Sequence, residues 1–385
     1  MADWRRILAH IVSDAETYFD ELKHKLDARF GNEGLQIVPY DSYGTPTTLW
    51  LKGRVLECNN IRPSTDRDSV WRNLLNTYRR FEGDEVPGAR VRITCGTTVQ
   101  EAVTNKEGYF EVELALPQPL QDDQLWHAVD YELLALQPAQ ATGHALIVAH
   151  TAQFGVISDV DDTVIQTGAT SLLQMAWTVF LSNARTRLPF PGVAALYQAL
   201  HQGEDGAFNP VFYVSSSPWN LYELLVDFMA LQGIPRGPLL LRDWGISQRD
   251  LAPTRHREHK LQFIVRILER FPHLPFLLIG DSGQADPEIY PEIVERFPER
   301  VLAIYIRNIK PSEQRIEALQ QLATTVTAHG SAMLVADDTV AMARHAAEHG
   351  WITTQALEAV AAHKETDDQR PSELEVLLGS DTSER

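Results

Sequence analysis

Apolar and polar positions recur with different periods in different parts of the 385-residue chain, and each period predicts a different kind of element. Over residues 3–29 apolar side chains return every third or fourth position, which predicts an amphipathic helix within residues 1–35. The opposite face of this helix carries charges of both signs. It therefore suits docking on a protein surface better than lying on a membrane.

Residues 36–150 consist of short β-rich runs between turns, which predicts a small β-sandwich with a helical insertion at 69–81. Gly108 stands at a left-handed turn position and predicts a hairpin at 104–110. No side chain of this part suggests catalysis. The predicted strands are 48–57, 89–94, 99–104, 109–116 and 131–136.

From residue 151 onward, apolar runs of strand length alternate with helical periods, which predicts an α/β fold with a doubly wound parallel sheet over residues 151–363. Helices expected at 171–183 and 193–200 are too short to form a large lid, so we expect little or no cap and room for a bulky substrate. Residues 364–385 are polar and acidic, which predicts a disordered tail. The predicted strands lie near 154–159, 211–215, 238–242, 276–280, 301–306 and 332–336.

Composition and charge disfavour several classes of function. The net charge of −18 argues against binding nucleic acid and against tight adsorption on anionic membranes. No run of eighteen apolar residues exists, so no transmembrane segment is expected, and the mixed-charge N-terminus does not resemble a signal peptide. Two cysteines without zinc or disulfide spacing are consistent with a reducing compartment. We therefore expect a cytoplasmic protein.

One predicted strand ends in three carboxylates and a hydroxyl. The apolar run that starts at Phe154 leads into Asp159, Asp161, Asp162 and Thr163. Unpaired carboxylates are costly to bury, whereas ligands bind at the carboxyl ends of strands in open α/β sheets. Side chains two residues apart in extended backbone project to the same side, so Asp159 and Asp161 suit a hard cation such as Mg2+. One of them can also act as a nucleophile.

The alternative explanation is an Asp-rich turn at the surface. The chain contains a second apolar run that leads into Asp-Asp-Thr, at residues 332–339, but Val335 stands at the position that corresponds to Asp159. There we expect the aspartates only to cap the helix that follows.

Two later segments offer groups that bind phosphate. The run from Val211 ends in Ser215 and Ser216, with Pro218 at a plausible first helical position, so hydroxyls and free backbone N–H groups would meet there. A simple serine cap is the alternative. Lys260 is expected to open an amphipathic helix, where a surface lysine is the ordinary explanation.

A third later segment repeats the pattern of a buried strand that ends in carboxylates. The apolar run 275–279 leads into Gly280 and Asp281, with Asp286 five residues further on. We expect Gly280 to allow a tight turn that keeps Asp281 available to a metal ion.

In this order, the four segments resemble the four signatures of the haloacid dehalogenase-like (HAD-like) phosphatases. The closer resemblance is to the catalytic-domain family of the fungal actin-patch-associated phosphatidate phosphatase and its bacterial relatives, over about residues 150–310. Asp162 departs from the glycine of many superfamily members, which leaves its role open. The segments that carry the resemblance are 157–163, 190–193, 213–219, 241–245, 280–286 and 305–307.

The resemblance implies a role for each matching residue. Asp159 would be the nucleophile, and Asp161 would protonate the leaving group and then activate water. Asp286 would hold the water shell of the metal or orient Lys260, and Arg242 and Arg307 would touch the substrate unless they form structural ion pairs. The residues implied in binding Mg2+ are Asp159, Asp161, Asp281 and Asp286. Those implied in binding phosphate or substrate are Thr163, Ser215, Ser216, Lys260, Arg242 and Arg307.

The expected activity is therefore that of a Mg2+-dependent phosphatidate phosphatase that works at a lipid surface as a peripheral protein. Residues 171–200 and an exposed Trp219 would form the approach for the acyl chains, although Trp219 is equally compatible with the core. Two alternatives remain open. One is a phosphatase for a soluble phosphomonoester or a phosphoprotein, and the other is a scaffold protein without catalytic activity.

Overall fold

The structure is a computed structural model, and its contacts divide the chain into two compact units with a boundary after Ile147. The N-terminal helix, the insertion at 69–81, the helix at 171–183, Asp161 with Asp162, and the tail beyond 368 all lie outside the described residues. The residues that the structure describes are 34–57, 85–121, 124–135, 139–160, 163–164, 190–204, 206–242, 253–309 and 312–368.

The first unit is a mostly antiparallel sheet of eight strands. Its strand order is β1-β3-β2-β8-β7-β4-β5, with β6 paired to β3, and the pairing of β2 with β8 is parallel. The strands are Leu35–Pro39 (β1), Ser42–Thr45 (β2), Thr48–Glu57 (β3), Arg90–Cys95 (β4), Thr98–Val103 (β5), Tyr109–Ala115 (β6), Trp126–Leu133 (β7) and Gln140–Ile147 (β8).

Four of the five strands predicted in this unit are confirmed, and the fifth, 131–136, proves to be the end of a strand that starts at Trp126. Strand β8 was missed because its sequence is poor in the bulky residues that favour strands. Gly143 explains part of that composition, since a Cβ there would lie 2.6 Å from the Cβ of Pro39. Strands β1 and β2 are short and were missed as well.

The turn predicted at Gly108 is confirmed, but the hairpin is wrong. Gly108 has φ +77°, and Asn105 Oδ1 accepts hydrogen bonds from the backbone N–H groups of Glu107 and Tyr109. However, β5 pairs with β4 and β6 pairs with β3. The turn therefore carries the chain between strands that are not partners, because local turn chemistry does not decide which strands pair.

The second unit contains an all-parallel sheet of six strands in the order β11-β10-β9-β12-β13-β14, and all six predicted strands are confirmed. The chain adds β10 and β11 on one side of β9 and then returns to add β12, β13 and β14 on the other. The strands are Gly155–Ser158 (β9), Val211–Pro218 (β10), Leu239–Arg242 (β11), Phe276–Asp281 (β12), Val301–Arg307 (β13) and Ala332–Ala336 (β14).

The helices described in the second unit alternate with these strands. In open sheets of this kind, ligands bind at the carboxyl ends of the strands where the direction of winding changes, which here is β9. The helices are Val193–Gln202 (α1), Tyr222–Leu231 (α2), Pro253–Arg270 (α3), Asp286–Arg296 (α4), Glu313–Ala328 (α5), Thr339–Glu348 (α6) and Thr354–Asp368 (α7).

The second Asp-Asp-Thr segment has the capping role that the sequence predicts. Asp338 precedes α6, and its side chain accepts a hydrogen bond of 2.9 Å from the backbone N–H of Ala341. Within the described ranges, no helix combines the length and the apolar character needed to cross a membrane.

His345 in α6 makes the stability of the second unit depend on pH. Its Nδ1 lies 3.0 Å from the hydroxyl of Tyr305, and its ring stacks on that of His349 at 4.2 Å. Burial, assisted by the neighbouring His349, lowers the pKa of His345 below its ordinary value of 6.5. The unfolded chain therefore binds this proton more tightly than the folded protein does, and stability falls as pH drops below about 6.5.

The test compares the melting temperatures of the wild type and His345→Gln between pH 8 and pH 5.5. The wild type should lose more stability on acidification than the variant, which cannot take up this proton. His329→Gln is the matched control, because His329 is exposed and should leave the pH dependence unchanged. Parallel curves for the wild type and His345→Gln would show that His345 does not contribute.

Candidate active site

Five of the predicted site residues lie side by side along the carboxyl edge of the parallel sheet. Ser158, the last residue of β9, pairs with Tyr213 on one side and Ile279 on the other. Asp159 continues this pairing, since its backbone N–H donates to the carbonyl of Ile279 at 2.9 Å. In the order of the strands across the sheet, these residues are Arg242, Ser215, Asp159, Asp281 and Arg307.

Three buried carboxylates meet at this edge. Asp159, Asp281 and Asp286 each offer an oxygen, and the three oxygens lie within 4.8 Å of one another. The exposed fractions of these residues are only 1%, 0% and 0%. Three like charges taken out of water repel one another and lose hydration, so the cluster needs cations. Oxygen donors of this kind are the ligands that a hard divalent ion prefers.

Lys260 supplies one cation to this cluster. Its Nζ lies 2.8 Å from an oxygen of Asp159 and 2.8 Å from an oxygen of Asp286, and the side chain is buried. Burial alone would lower the pKa of Lys260, but the carboxylates of Asp159 and Asp286 outweigh it and raise the pKa above its ordinary value. The prediction that Lys260 opens its helix is wrong, because α3 already begins at Pro253.

The position of Lys260 within α3 follows from the reach of its side chain. Apolar residues of α3, such as Ile264 and Leu268, are buried, and Lys260 lies one turn before Ile264 on the same face. The lysine therefore points toward the sheet with the apolar residues rather than toward solvent. Its charge is tolerated there only because carboxylates lie at the end of its side chain.

Asp281 is held by the backbone that follows it. Its Oδ1 accepts hydrogen bonds from the N–H groups of Gly283 (2.6 Å) and Gln284 (2.9 Å). The predicted tight turn at Gly280 is wrong, because Gly280 lies within strand β12, which continues to Asp281. The glycine is needed for space, since a Cβ at residue 280 would lie 2.6 Å from Oδ2 of Asp286.

This close approach predicts that Gly280→Ala displaces Asp286 from the carboxylate cluster. The added methyl group cannot move because it is fixed to a strand in the middle of the sheet, so Asp286 must shift. We expect the affinity of this cluster for a divalent ion, measured by titration calorimetry with Mg2+ as the probe, to fall by about tenfold or more, in line with the loss of a residue that orients a metal site. An unchanged affinity with an unchanged melting temperature would contradict this account.

Asp159 has further donors around its carboxylate. Gln284 Nε2 donates to Asp159 Oδ2 at 3.0 Å, and the hydroxyl of Thr163 lies 3.5 Å from the same oxygen. Thr163 was predicted to belong to the site and does lie beside Asp159. Gln284 was not predicted. The available signal was its position between Asp281 and Asp286, but a glutamine in a loop carries no pattern that distinguishes it.

The serines near the end of β10 are buried where a phosphate-binding group was predicted. Ser215 and Ser217 are fully buried, and the Oγ of Ser215 accepts a hydrogen bond of 2.9 Å from the N–H of Ser217. Strand β10 continues to Pro218, so this proline precedes a short helical turn instead of starting it. Trp219 is 2% exposed, which makes it a core residue and removes it from the expected approach for acyl chains.

Two arginines end strands on either side of the carboxylates. Burial lowers the pKa of Arg242. Arg307 lies over the ring of Phe190 at 4.2 Å and donates to the hydroxyl of Thr339 at 3.2 Å, and burial lowers its pKa to about 10. Within the described part of the chain, Arg307 forms no salt bridge with a carboxylate, so the structural ion pair considered from the sequence is not found there.

Residues 154–308 match the model of the family described as phosphatidate phosphatase APP1, catalytic domain. This segment is similar to the APP1 catalytic-domain family. Phosphatidate phosphatase APP1 of Saccharomyces cerevisiae is 37% identical over 154 residues, which cover 40% of this chain and 25% of the yeast protein. An uncharacterized protein of Schizosaccharomyces pombe is 28% identical over 209 residues, covering 54% of this chain and 31% of that protein. The chain thus spans about a quarter to a third of the length of these relatives.

Two solved structures resemble the chain only weakly. A Photobacterium 2,6-sialyltransferase has 12% identity and a TM-score of 0.19, with 67% of this chain and 39% of that chain covered. The PilB minor pilin from Streptococcus sanguinis has 9% identity and a TM-score of 0.26, with 71% and 89% covered. Likenesses at these TM-scores carry no inference about fold or function.

The segment 154–308 that matches this family contains the whole carboxylate cluster, together with Lys260 and Gln284. One of the side chains that hold the loop between Asp281 and Asp286 lies outside residues 154–308. Arg315, in α5, donates to the backbone carbonyls of Ser282 (3.0 Å) and Gln284 (3.1 Å).

Proposed function

We propose that this protein is a Mg2+-dependent phosphomonoesterase that forms an aspartyl-phosphate at Asp159 and that its substrate is phosphatidate. The observation that carries the proposal is the buried cluster of three carboxylates and one lysine at the carboxyl edge of the sheet, inside a segment of the APP1 catalytic-domain family. We further propose that the second unit is a HAD-like, doubly wound domain with little or no cap and that the first unit is a β-sandwich.

The donor set fits Mg2+. Three carboxylates face a single lysine, which leaves the cluster with excess negative charge, and hard oxygen donors suit this ion. Asp159, Asp281 and Asp286, with the backbone carbonyl of Asp161, would hold it. When bound, Mg2+ would supply positive charge that lets an anionic nucleophile approach an anionic phosphate.

Asp159 and Asp161 carry out the two steps of the proposed reaction. A carboxylate oxygen of Asp159 attacks phosphorus, the bond to the ester oxygen breaks, and Asp161 donates a proton to the leaving alkoxide. Asp161 then accepts a proton from the water that attacks the aspartyl-phosphate, which releases inorganic phosphate and regenerates Asp159. Asp161 lies outside the described residues, so its role rests on the sequence alone.

Lys260 and the hydroxyls of Ser215, Ser216 and Thr163 would bind the phosphate oxygens, over which the charge of the transition state is spread. Lys260 is well placed for this role, because its pairing with Asp159 holds it charged beside the nucleophile.

The family relationship and the name of the yeast relative support phosphatidate as the substrate. Arg242 and Arg307 flank the carboxylates along the edge and would contact the rest of the substrate. The net charge of −18 predicts that neutral micelles are a better surface than densely anionic vesicles. A cytoplasmic protein of this kind would work as a peripheral protein at a lipid surface.

The test is release of inorganic phosphate by the full chain from phosphatidate in nonionic detergent micelles, beside a panel of soluble phosphomonoesters. We expect turnover of phosphatidate that requires Mg2+, stops on chelation and depends on the surface concentration of the lipid. If only a soluble ester is hydrolysed, that ester and not phosphatidate is the substrate of the proposed phosphatase. Failure of the whole panel would favour the scaffold function.

A further inference from the structure

Gln284 makes two polar contacts that join the proposed nucleophile to the proposed phosphate-binding lysine. Its Nε2 donates to Asp159 Oδ2 at 3.0 Å, and its Oε1 accepts from Lys260 Nζ at 3.2 Å. Lys260 in turn contacts the other oxygen of Asp159, Oδ1, at 2.8 Å. The three side chains therefore form a closed ring of two hydrogen bonds and one ion pair around one carboxylate.

The orientation of the amide follows from its partners. Rotating it by half a turn would place an N–H group against the ammonium of Lys260 and a carbonyl oxygen against the carboxylate of Asp159, so both contacts would become repulsive. Glutamate at this position would likewise set one carboxylate against another. A neutral side chain with a donor and an acceptor is thus the type that fits between Asp159 and Lys260.

The loop that carries Gln284 is fixed by hydrogen bonds at Ser282, Gly283 and Gln284. The N–H groups of Gly283 and Gln284 donate to Asp281, and Ser282 Oγ accepts from the N–H of Ile309 at 2.8 Å. Arg315 donates to the carbonyls of Ser282 and Gln284 from the other side.

Arg315 is itself anchored by an ion pair with Glu288. The amide of Gln284 is therefore presented to Asp159 by a loop whose backbone is held from both sides. The loop is already in place before substrate binds.

We propose that Gln284 is a positioning residue, which fixes the rotation of the Asp159 carboxylate relative to Lys260, and that Arg315 holds the loop that presents it. The inference deepens the proposed function and rests on it. A carboxylate that attacks phosphorus must direct one oxygen along the line of attack. A hydrogen-bond donor to the other oxygen limits the rotation of the carboxylate. Displacements of about 1 Å in such a group can cost about 100-fold in rate.

The decisive variant is Gln284→Met, which keeps the length of the side chain and removes both polar contacts. We expect kcat to fall by about 10- to 100-fold while KM stays within about threefold, because orientation is lost and phosphate binding is not. Binding of Mg2+ alone, and of inorganic phosphate in the presence of Mg2+, should each stay within about threefold by titration calorimetry. Gln284→Glu should lower kcat at least as much through repulsion of Asp159.

Two controls separate this role from a structural one. Gln198→Met removes a half-buried glutamine outside the site that donates to the carbonyl of Gly233, and it should leave kcat unchanged. Arg315→Met should lower kcat in the wild-type background but add less than about twofold to Gln284→Met, since Arg315 acts only by holding the loop that presents the Gln284 amide to Asp159. Equal losses in the two backgrounds would overturn the role of Arg315.

The contact can also be observed without turnover. In protein labelled with 15N-glutamine, the side-chain amide signal that disappears in Gln284→Met should move when Asp159 is replaced by alanine. A kcat within twofold of wild type, or a loss of Mg2+ binding that parallels the loss of kcat, would overturn the inference, and so would an amide signal that does not move. A wild type that releases no phosphate would instead overturn the proposed function, and the amide signal would still decide whether Gln284 holds Asp159.

Discussion

Asp159→Asn should remove essentially all turnover while the protein remains folded. An amide cannot attack phosphorus, and losing a covalent nucleophile raises the barrier by about 8 kcal/mol or more. Asparagine is close to aspartate in size, and it reduces the excess of negative charge among the three carboxylates, so the fold should tolerate it. The measurement is the initial rate of phosphate release on the best substrate, with circular dichroism and the melting temperature as checks of folding.

The chain offers its own matched control for this substitution. Asp337→Asn changes an exposed aspartate in the second Asp-Asp-Thr segment, where the neighbouring Asp338 caps α6. It should leave the rate unchanged. If Asp159→Asn keeps more than about 1% of wild-type activity, Asp159 is not the nucleophile. The loss of a covalent nucleophile lowers the rate by far more than about 100-fold.

Lys260→Met should have the largest effect on stability. The substitution leaves three buried carboxylates without the cation that contacts two of them. Removing one partner of a buried ion pair costs about 3–5 kcal/mol. We expect a loss of that size in denaturant unfolding with chelator present, and a partial recovery with Mg2+, which restores positive charge to the cluster. The rate should also fall by about 100-fold or more, through the loss of a charge beside the transferred phosphate.

Lys364→Met is the control for the loss of a lysine as such. Lys364 pairs with Asp368 at 3.0 Å near the surface, where such a pair contributes about 1 kcal/mol or less. A loss of under about 1 kcal/mol in Lys260→Met, in chelator, would mean that the carboxylates are compensated in another way.

Local sequence determined the elements of the parallel sheet. Its buried strands are uninterrupted apolar runs, as at 276–280, so their positions can be read without knowing their neighbours. The same holds for the carboxylates after β9 and β12, because charged residues at the end of an apolar strand are unusual enough to indicate a site. The capping role of Asp338 is also local, since it depends on residues three positions apart.

Tertiary structure decided which strands pair in the first unit and why small residues occur in them. The turn at Gly108 reads as a hairpin, yet its two strands pair with other partners. Gly143 weakens the strand pattern of β8 because Pro39 lies against it. Neither fact is visible locally, since each depends on a residue far away in the chain.

At the candidate site, the sequence by itself determined which acidic residues to consider, and the tertiary structure decided what surrounds them. Gly280 is needed because Asp286 folds back over it, not because the chain turns there. Gln284 contacts Asp159 across 125 positions of sequence, and Arg315 reaches Ser282 across 33. Residue types such as glutamine and arginine are common on surfaces, so only their contacts with buried carboxylates and backbone distinguish these two. The periodic pattern of a chain records burial, whereas the partners of a buried polar group are set by the packing of distant segments.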